Sequence, residues 1–229
     1  MTSIEYRLNL WKEFMEQTSY IPERLHETMG MIAGTYVEDT SFLSKVYESF
    51  VLKERFLEDE EKEVKYERDG EDHILTFQGK ECVFDKPDFK KVLTSMLDLL
   101  EDTLPLGTVV DLKKSAYEDV VELEGVEEIR MVITYRFLGD LSQGYYFPYA
   151  GVVYPTGMLG QKEVLYFTRP LVESIVKEGY RDEKEDAYVY LMKQEMIVEK
   201  GANTYGYATP EEIESFNKHV KGDDADGGG

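Results

Sequence analysis

Short apolar runs between residues 104 and 180 constrain the fold of this chain more than any other feature. They read Leu-Pro-Leu-Gly-Thr-Val-Val-Asp-Leu, Tyr-Ala-Gly-Val-Val-Tyr-Pro-Thr-Gly and Val-Leu-Tyr-Phe-Thr-Arg-Pro-Leu-Val. Each run is rich in β-branched and aromatic residues and is bounded by Gly or Pro, which is typical of strands that pack on a core and then turn sharply. The stretch therefore predicts a compact, strand-rich unit.

Hydrophobic periodicity divides this stretch into individual strands. Met131, Ile133 and Tyr135 alternate with Val132 and Thr134, and this period of two indicates an antiparallel sheet with one more apolar side. We expect a strongly bent antiparallel sheet or a small barrel. Its strands are predicted at 108–112, 120–123, 129–137, 145–153 and 164–167.

Helices are predicted to close this sheet at its C-terminal side. Pro170 suits the first turn of a short helix that includes Leu171, Val172 and Ile175 and ends at Gly179. Helical spacing of apolar residues predicts a further helix over 187–198. A capping box with Pro at the first helical position, at 209–212, predicts a last helix.

The N-terminal part predicts helices followed by a small β-meander. Thr2 and Glu5 stand in capping-box spacing before an amphipathic stripe that includes Trp11, and two more helical stripes follow before residue 51. Asp69-Gly70 is a hairpin turn signal between strands predicted at 64–68 and 74–78, and a third strand is predicted at 82–84. A helix with a wide apolar stripe is predicted to begin after this meander.

Together these patterns predict an α+β fold in three parts. A helical plus β-meander domain covers 1–102, and a strand-rich domain with C-terminal helices covers 103–221. The acidic sequence Glu101-Asp102-Thr103 marks the boundary between them. Residues 222–229 form an acidic Gly-rich tail, which we expect to be disordered because it has no large apolar side chain to bury.

The order and spacing of glycines, aromatics and prolines in the strand-rich part resemble a known family. The matching segments are 104–110, 149–157, 166–167 and 175–180. They resemble a bacterial domain-of-unknown-function family, catalogue number four-one-seven-six, typically encoded in Firmicutes beside type VII secretion genes and polymorphic toxins. The chain departs from it in a longer insertion over 114–144 and in Thr168-Arg169, and the resemblance supplies no catalytic residue.

The charge balance limits the classes of partner. The formal charge is −21, which disfavours nucleic acid and anionic membranes because such a surface repels phosphate groups. No apolar run approaches the roughly 18 residues of a membrane span, so we expect none, and no signal peptide. The single cysteine, Cys82, cannot form an internal disulfide, and we expect a cytoplasmic protein.

The residues that could carry chemistry do not form a recognisable site in the sequence. His26, His73 and His219 lack the spacing of a zinc site, and Cys82 lies in a strand pattern beside acidic residues, which oppose a reactive thiolate. The glycines at 151, 157 and 160 fit neither the dinucleotide fingerprint nor the P-loop. We therefore expect no catalytic residue, no metal and no cofactor.

Aromatic residues crowd the strand-rich part and are the candidate partner-binding residues. Tyrosine is common at protein interfaces because it buries a large apolar body and keeps one hydrogen-bonding group. An equally weighted interpretation is that these residues have strand propensity and fill the core. A helix-borne tryptophan could likewise be a docking anchor or a core residue. The candidates are Tyr145, Tyr146, Tyr149, Tyr154, Tyr166 and Trp11.

The expected function rests mainly on the resemblance. It implies a non-catalytic cytoplasmic accessory protein of a type VII secretion locus, acting by protein binding as an adaptor or chaperone. One alternative is an immunity protein that neutralises a basic toxin through its acidic surface. Another is an enzyme with an unrecognised pocket, which would need clustered polar groups with shifted pKa values.

Overall fold

A computed structural model describes residues 2–114, 128–139, 144–159 and 164–207. It confirms the α+β fold class. The chain divides into two compact units. Unit 1 comprises Met1–Asp102 and Asp186–Gly201, and unit 2 comprises Thr103–Glu185 and, among the described residues, 202–207.

Four helices of unit 1 come from its N-terminal segment: α1 (Ser3–Gln17), α2 (Glu23–Tyr36), α3 (Ser41–Leu52) and α4 (Lys86–Leu100). The predicted capping box is present at α1, where the Glu5 amide donates to Thr2 Oγ1 over 3.2 Å and the Thr2 amide donates to Glu5 over 2.7 Å. The Asp85 carboxylate accepts from the Asp88 amide and caps α4.

A four-stranded antiparallel sheet completes the core of unit 1. Its strands, in spatial order, are β1 (Phe56–Asp59), β2 (Val64–Asp69), β3 (Asp72–Phe77) and β4 (Lys80–Phe84). Three of them were predicted, and β1 was not. Helix α4 packs beside β3, and the rings of Tyr66, His73 and Phe89 stack at centroid distances of 4.9–6.0 Å.

The segment Asp186–Gly201 returns to unit 1. It contains most of α5 (Glu183–Lys193), followed directly by a π-helical turn, Gln194–Glu199. Tyr190 donates to Glu13 of α1 over 2.8 Å, and the Lys193 ammonium donates to the carbonyl oxygens at the end of α4. The predicted helix over 187–198 is therefore confirmed, and it packs on the N-terminal helices.

A six-stranded sheet forms the core of unit 2. Its strands are β5 (Val109–Leu112), β6 (Ile129–Leu138), β7 (Tyr145–Val153), β8 (Leu165–Phe167), β9 (Val172–Lys177) and β10 (Asn203–Thr204). The spatial order is β10-β7-β6-β5-β9, with β8 also paired to β7. Among the described strands all pairs are antiparallel except β10 with β7, and these strands do not close into a barrel.

Apolar side chains of these strands form the core of unit 2. Gly151 allows the central strands to pair closely, because a Cβ atom there would lie 2.3 Å from the Val132 carbonyl oxygen. The core also contains Tyr149, whose hydroxyl accepts from the Leu104 amide over 3.1 Å. The other buried core residues include Val110, Leu112, Ile129, Met131, Ile133 and Phe167.

One predicted element is wrong, and others cannot be compared. The predicted helix from Pro170 to Gly179 is a 3-10 turn, Arg169–Leu171, followed by strand β9. The β-branched side chains of Val172, Ile175 and Val176 suit this strand, and pairing with β5 outweighs the local helix signal. The predicted strand at 120–123, the last predicted helix and the tail over 222–229 lie outside the described residues.

Candidate partner-binding surface

Three of the six candidate aromatic residues are buried. Trp11 is 1% exposed, stacks on Phe14 at 5.5 Å and donates its indole N–H to the Met29 carbonyl over 3.2 Å. Tyr146 and Tyr149 are also buried. These side chains belong to the cores, and they cannot contact a partner in this conformation.

The other three candidates reach the surface of unit 2. Tyr154 is 51% exposed, Tyr166 is 48% exposed and Tyr145 is partly buried. Tyr145 lies at the start of β7, Tyr166 in β8 and Tyr154 just after β7. The surface role of these three residues stays a prediction.

Two aromatic residues outside the candidate set join Tyr145 and Tyr166 in one cluster. Phe147 lies 5.2 Å from Tyr166 and 4.5 Å from Tyr205, and Tyr145 meets Tyr205 edge-on at 6.5 Å. These are distances between ring centroids, and they fall in the range of favourable aromatic pairs. We call Tyr145, Phe147, Tyr166 and Tyr205 the aromatic cluster.

Strand pairing explains how the aromatic cluster forms. Tyr145 and Phe147 are two residues apart in β7, so they lie on the same face. The short strand β10 pairs in parallel with Tyr145 and Tyr146, and the Asn203 amide donates to the Gly144 carbonyl over 3.0 Å. This pairing brings Tyr205, which directly follows β10, against Phe147. Burial raises the pKa of the Tyr205 hydroxyl above its ordinary value, so it stays neutral.

The candidate set omits Tyr205 because nothing local connects it to β7, which lies more than fifty residues earlier. A weak signal was present: Tyr205-Gly206-Tyr207 repeats the mixture of aromatics and glycine seen in the strand-rich part. The glycine at position 206 lets the backbone after Tyr205 lie close to Thr168, since a Cβ atom there would be only 3.2 Å from Thr168 Oγ1.

A buried polar network holds the loop that precedes β5. The Arg136 guanidinium donates to the Glu185 carboxylate, with 3.0 Å between Nη2 and Oε2, and to the Leu104 carbonyl over 3.4 Å. Arg181 donates to the Thr103 carbonyl over 2.8 Å. Two of these contacts end on the carbonyl oxygens of Thr103 and Leu104, so the network holds the backbone of the loop before β5.

Both units carry an excess of acidic side chains. Unit 1 carries 27 Asp and Glu side chains against 15 Lys and Arg, a difference of 12. Unit 2 carries 20 against 11, a difference of 9. Both units are therefore acidic, and net charge does not distinguish the unit that holds the aromatic cluster from the other.

Two groups of unit 1 with nucleophilic or acid-base potential, Cys82 and His73, are buried. Burial raises the pKa of the Cys82 thiol to about 11, which disfavours the thiolate. Burial also lowers the pKa of His73, whose Nδ1 lies 2.8 Å from the Tyr66 hydroxyl. Between α1 and α2, a groove of about 480 Å³ is lined by residues that include Trp11, His26 and Gly30.

Two further observations concern the described residues only. They contain no group of three or more His, Cys, Asp or Glu side chains arranged to hold a metal ion. None of their helices has the length and hydrophobicity that crossing a bilayer requires.

Unit 2 thus presents an antiparallel sheet with a partly exposed aromatic cluster along β7 and β8. Residues 118–188 match the model of a family described as Domain of unknown function (DUF4176). The match confirms the family resemblance, and within the described residues it includes β6 to β9 and the start of α5. No curated protein and no solved structure matches the chain.

Proposed function

We propose that this protein acts by binding another protein through the aromatic cluster and catalyses no reaction of its own. The observation that carries the proposal is the exposure of these rings. Tyr166 leaves about half of its surface in solvent, and it packs on Phe147 beside Tyr205. Rings held in place by one another lose little conformational entropy on binding, which is why aromatic residues dominate binding hot spots.

The family resemblance suggests the setting for this activity. Its implied role is that of a cytoplasmic accessory protein of a type VII secretion locus, acting as an adaptor or chaperone for a secreted toxin. The exposed rings support this role, since an apolar surface can cover an apolar segment of a client before secretion. Under this proposal the contact is with the targeting part of the toxin.

The acidic surface of unit 1 favours a second candidate function. An excess of 12 carboxylates over basic side chains would speed association with a basic protein. That arrangement fits an immunity protein that covers a basic toxin domain. The two functions differ in the unit that makes the contact and in the part of the toxin that is bound.

Co-purification with the secreted protein encoded beside this chain tests the proposal. The secreted protein is divided into its targeting part and its toxic domain, and each part is tested against the full chain. We expect the targeting part to bind, and Tyr166→Ala to weaken binding about tenfold, as removal of a hot-spot ring does. Tyr166→Phe should bind almost normally because it keeps the ring.

Tyr135→Ala is the matched control, because Tyr135 of β6 lies outside the candidate set, is as exposed as Tyr166 and makes no ring pair with the aromatic cluster. Equal losses for Tyr135→Ala and Tyr166→Ala would contradict a specific role for the cluster. Binding of the toxic domain alone, with a steep dependence on salt, would support the immunity function instead.

A further inference from the structure

The outward face of the four-stranded sheet in unit 1 combines apolar and acidic side chains in ordered rows. Successive residues of a strand point to opposite faces. One face carries the buried side chains of Tyr66, His73, Leu75, Cys82 and Phe84. The opposite face, which we call the outer face, carries Phe56, Glu58, Lys65, Glu67, Ile74, Thr76, Glu81 and Val83.

The strand register places three apolar residues of the outer face in one row. Phe56 pairs with Glu67, Glu67 with Ile74, and Ile74 with Val83. Phe56 is 50% exposed and Val83 is 44% exposed. With about 4.8 Å between neighbouring strands, the row is about 14 Å long. It is therefore an apolar strip with one carboxylate inside it.

A second row beside it is mostly polar. Glu58 pairs with Lys65, Lys65 with Thr76, and Thr76 with Glu81. Lys65 Nζ also lies 3.5 Å from Glu67 Oε2. The side chains named for the outer face therefore include three carboxylates and one ammonium. Thr76 is 7% exposed, and its Oγ1 has no hydrogen-bond partner among the described residues. Thr76 is therefore not accessible to a partner, and what this row offers is unbalanced negative charge.

We propose that the outer face binds a basic amphipathic segment of a partner protein. Apolar side chains of the segment cover Phe56, Ile74 and Val83, and a lysine or arginine between them meets Glu67. A helix laid along the row presents side chains three or four residues apart at about 5–6 Å spacing, which matches the distance between strands. The acidic excess of unit 1 favours a cationic segment.

This inference is independent of the aromatic cluster, because the outer face belongs to unit 1 and the cluster to unit 2. Loss of binding at one surface leaves the other unaffected. The two proposals can therefore fail separately.

The test uses a synthetic amphipathic helix of leucine and lysine, about 14 residues long, and a leucine and glutamate helix of the same pattern. Binding to the full chain is measured by fluorescence anisotropy at about 0.15 M salt, where weak long-range attraction is screened. We expect the lysine helix to bind and the glutamate helix not to bind. Equal binding of both helices would overturn the proposal.

Substitutions locate the site. Glu67→Lys should raise Kd about tenfold, and Glu67→Gln, which keeps the shape and removes the charge, should raise it less. Val83→Ser should also weaken binding because it removes apolar contact area. The control is Glu16→Lys, an exposed position on α1 that changes the net charge by the same amount. Similar losses for Glu67→Lys and Glu16→Lys would show unspecific attraction and overturn the proposal.

Folding and self-association are checked on the same variants. Thermal unfolding followed by Trp11 fluorescence should be nearly unchanged for Val83→Ser and Glu67→Gln, since both positions are partly exposed. Analytical ultracentrifugation of the protein alone should show no dimer formed through the outer face, that is, no dimer that dissociates when Val83 is replaced by serine. Such a dimer would mean that a second copy of the chain covers the outer face, contrary to the proposal.

Discussion

Replacing Lys193 by methionine should destabilise unit 1. Lys193 is 3% exposed, and its ammonium donates to the carbonyl oxygens of Asp98, Leu99 and Glu101 over 2.8, 3.4 and 2.5 Å. These carbonyls end α4, where the helix has no further amides to satisfy them and its dipole is negative. An unpaired buried carbonyl costs about 1–3 kcal/mol. The variant buries no charge, and this offsets part of the loss from the unpaired carbonyls. We therefore expect the free energy of unfolding to fall by about 2–4 kcal/mol at pH 7.

The pH dependence of stability gives a second signature of the same residue. Burial lowers the pKa of Lys193 from 10.5 to about 8 in the folded protein. Above pH 8 the folded state therefore binds fewer protons than the unfolded state, so the free energy of unfolding rises with pH. The rise has a limiting slope of about 1.4 kcal/mol per pH unit, which gives about 1 kcal/mol between pH 8 and pH 9. Lys193→Met should lack this rise.

Urea unfolding at pH 7, 8 and 9 measures both effects. The single tryptophan, Trp11, lies in the core of unit 1 and reports its unfolding. Cys82 makes an opposite contribution in this pH range, because its raised pKa lowers stability as the unfolded thiol ionises around pH 9, and comparing Lys193→Met with the wild type cancels that contribution. Lys12→Met, at an exposed position of α1, is the control. If Lys193→Met unfolds at the wild-type urea concentration with the wild-type pH slope, the role given to this ammonium is refuted.

Three further predictions concern other sites. Unit 1 should lose stability as the pH falls below 6.5, because burial lowers the pKa of His73 and the unfolded state then binds more protons than the folded state. Unfolding followed by Trp11 fluorescence measures this loss, which should be smaller in His73→Phe. Gly151→Ala should destabilise unit 2 by more than about 2 kcal/mol, since the added Cβ would meet the Val132 carbonyl oxygen, and hydrogen exchange of β6 and β7 amides should report it. Arg136→Met should lower the free energy of unfolding of unit 2 by about 3 kcal/mol, because it leaves the Glu185 carboxylate poorly paired. Adding Glu185→Gln to this variant should recover part of that stability, as measured by thermal unfolding.

Local signals in the sequence account for most of the elements. Alternating and aromatic-rich runs bounded by turns predicted β7 to the residue and β6 within one residue. The capping box of α1 and the Asp69-Gly70 turn are also local features, and both are present, with Gly70 at a positive φ of 62°. Such features are predictable because the interacting groups are close in sequence.

Features that depend on distant partners were missed. Val172 and Ile175 have a spacing compatible with a helix, and only pairing with β5 makes this segment a strand. Strand β1 was missed because Glu58 and Asp59 suggest a solvated charge run, yet Asp59 accepts from the buried Tyr36 hydroxyl over 2.9 Å. Tyr205 joins the aromatic cluster only through the parallel pairing of β10 with β7.

The same limit applies to the candidate surface. Composition and propensity cannot distinguish an aromatic residue that fills a core from one that reaches the surface. Tyr149 and Tyr166 both lie in strands rich in aromatic residues, but the Tyr149 hydroxyl accepts from the Leu104 amide inside the core, while Tyr166 is about half exposed. The face of the sheet on which each residue lies decides between the two outcomes.

Photo-crosslinking from position 166 in the native host tests the central claim most directly. A benzophenone amino acid replaces Tyr166, and the same amino acid at the exposed Lys177 of β9 serves as the control. We expect one covalent adduct with a neighbouring secreted protein from position 166 and none from position 177. No adduct from position 166, or the same adducts from both positions, would contradict a partner-binding role for the aromatic cluster.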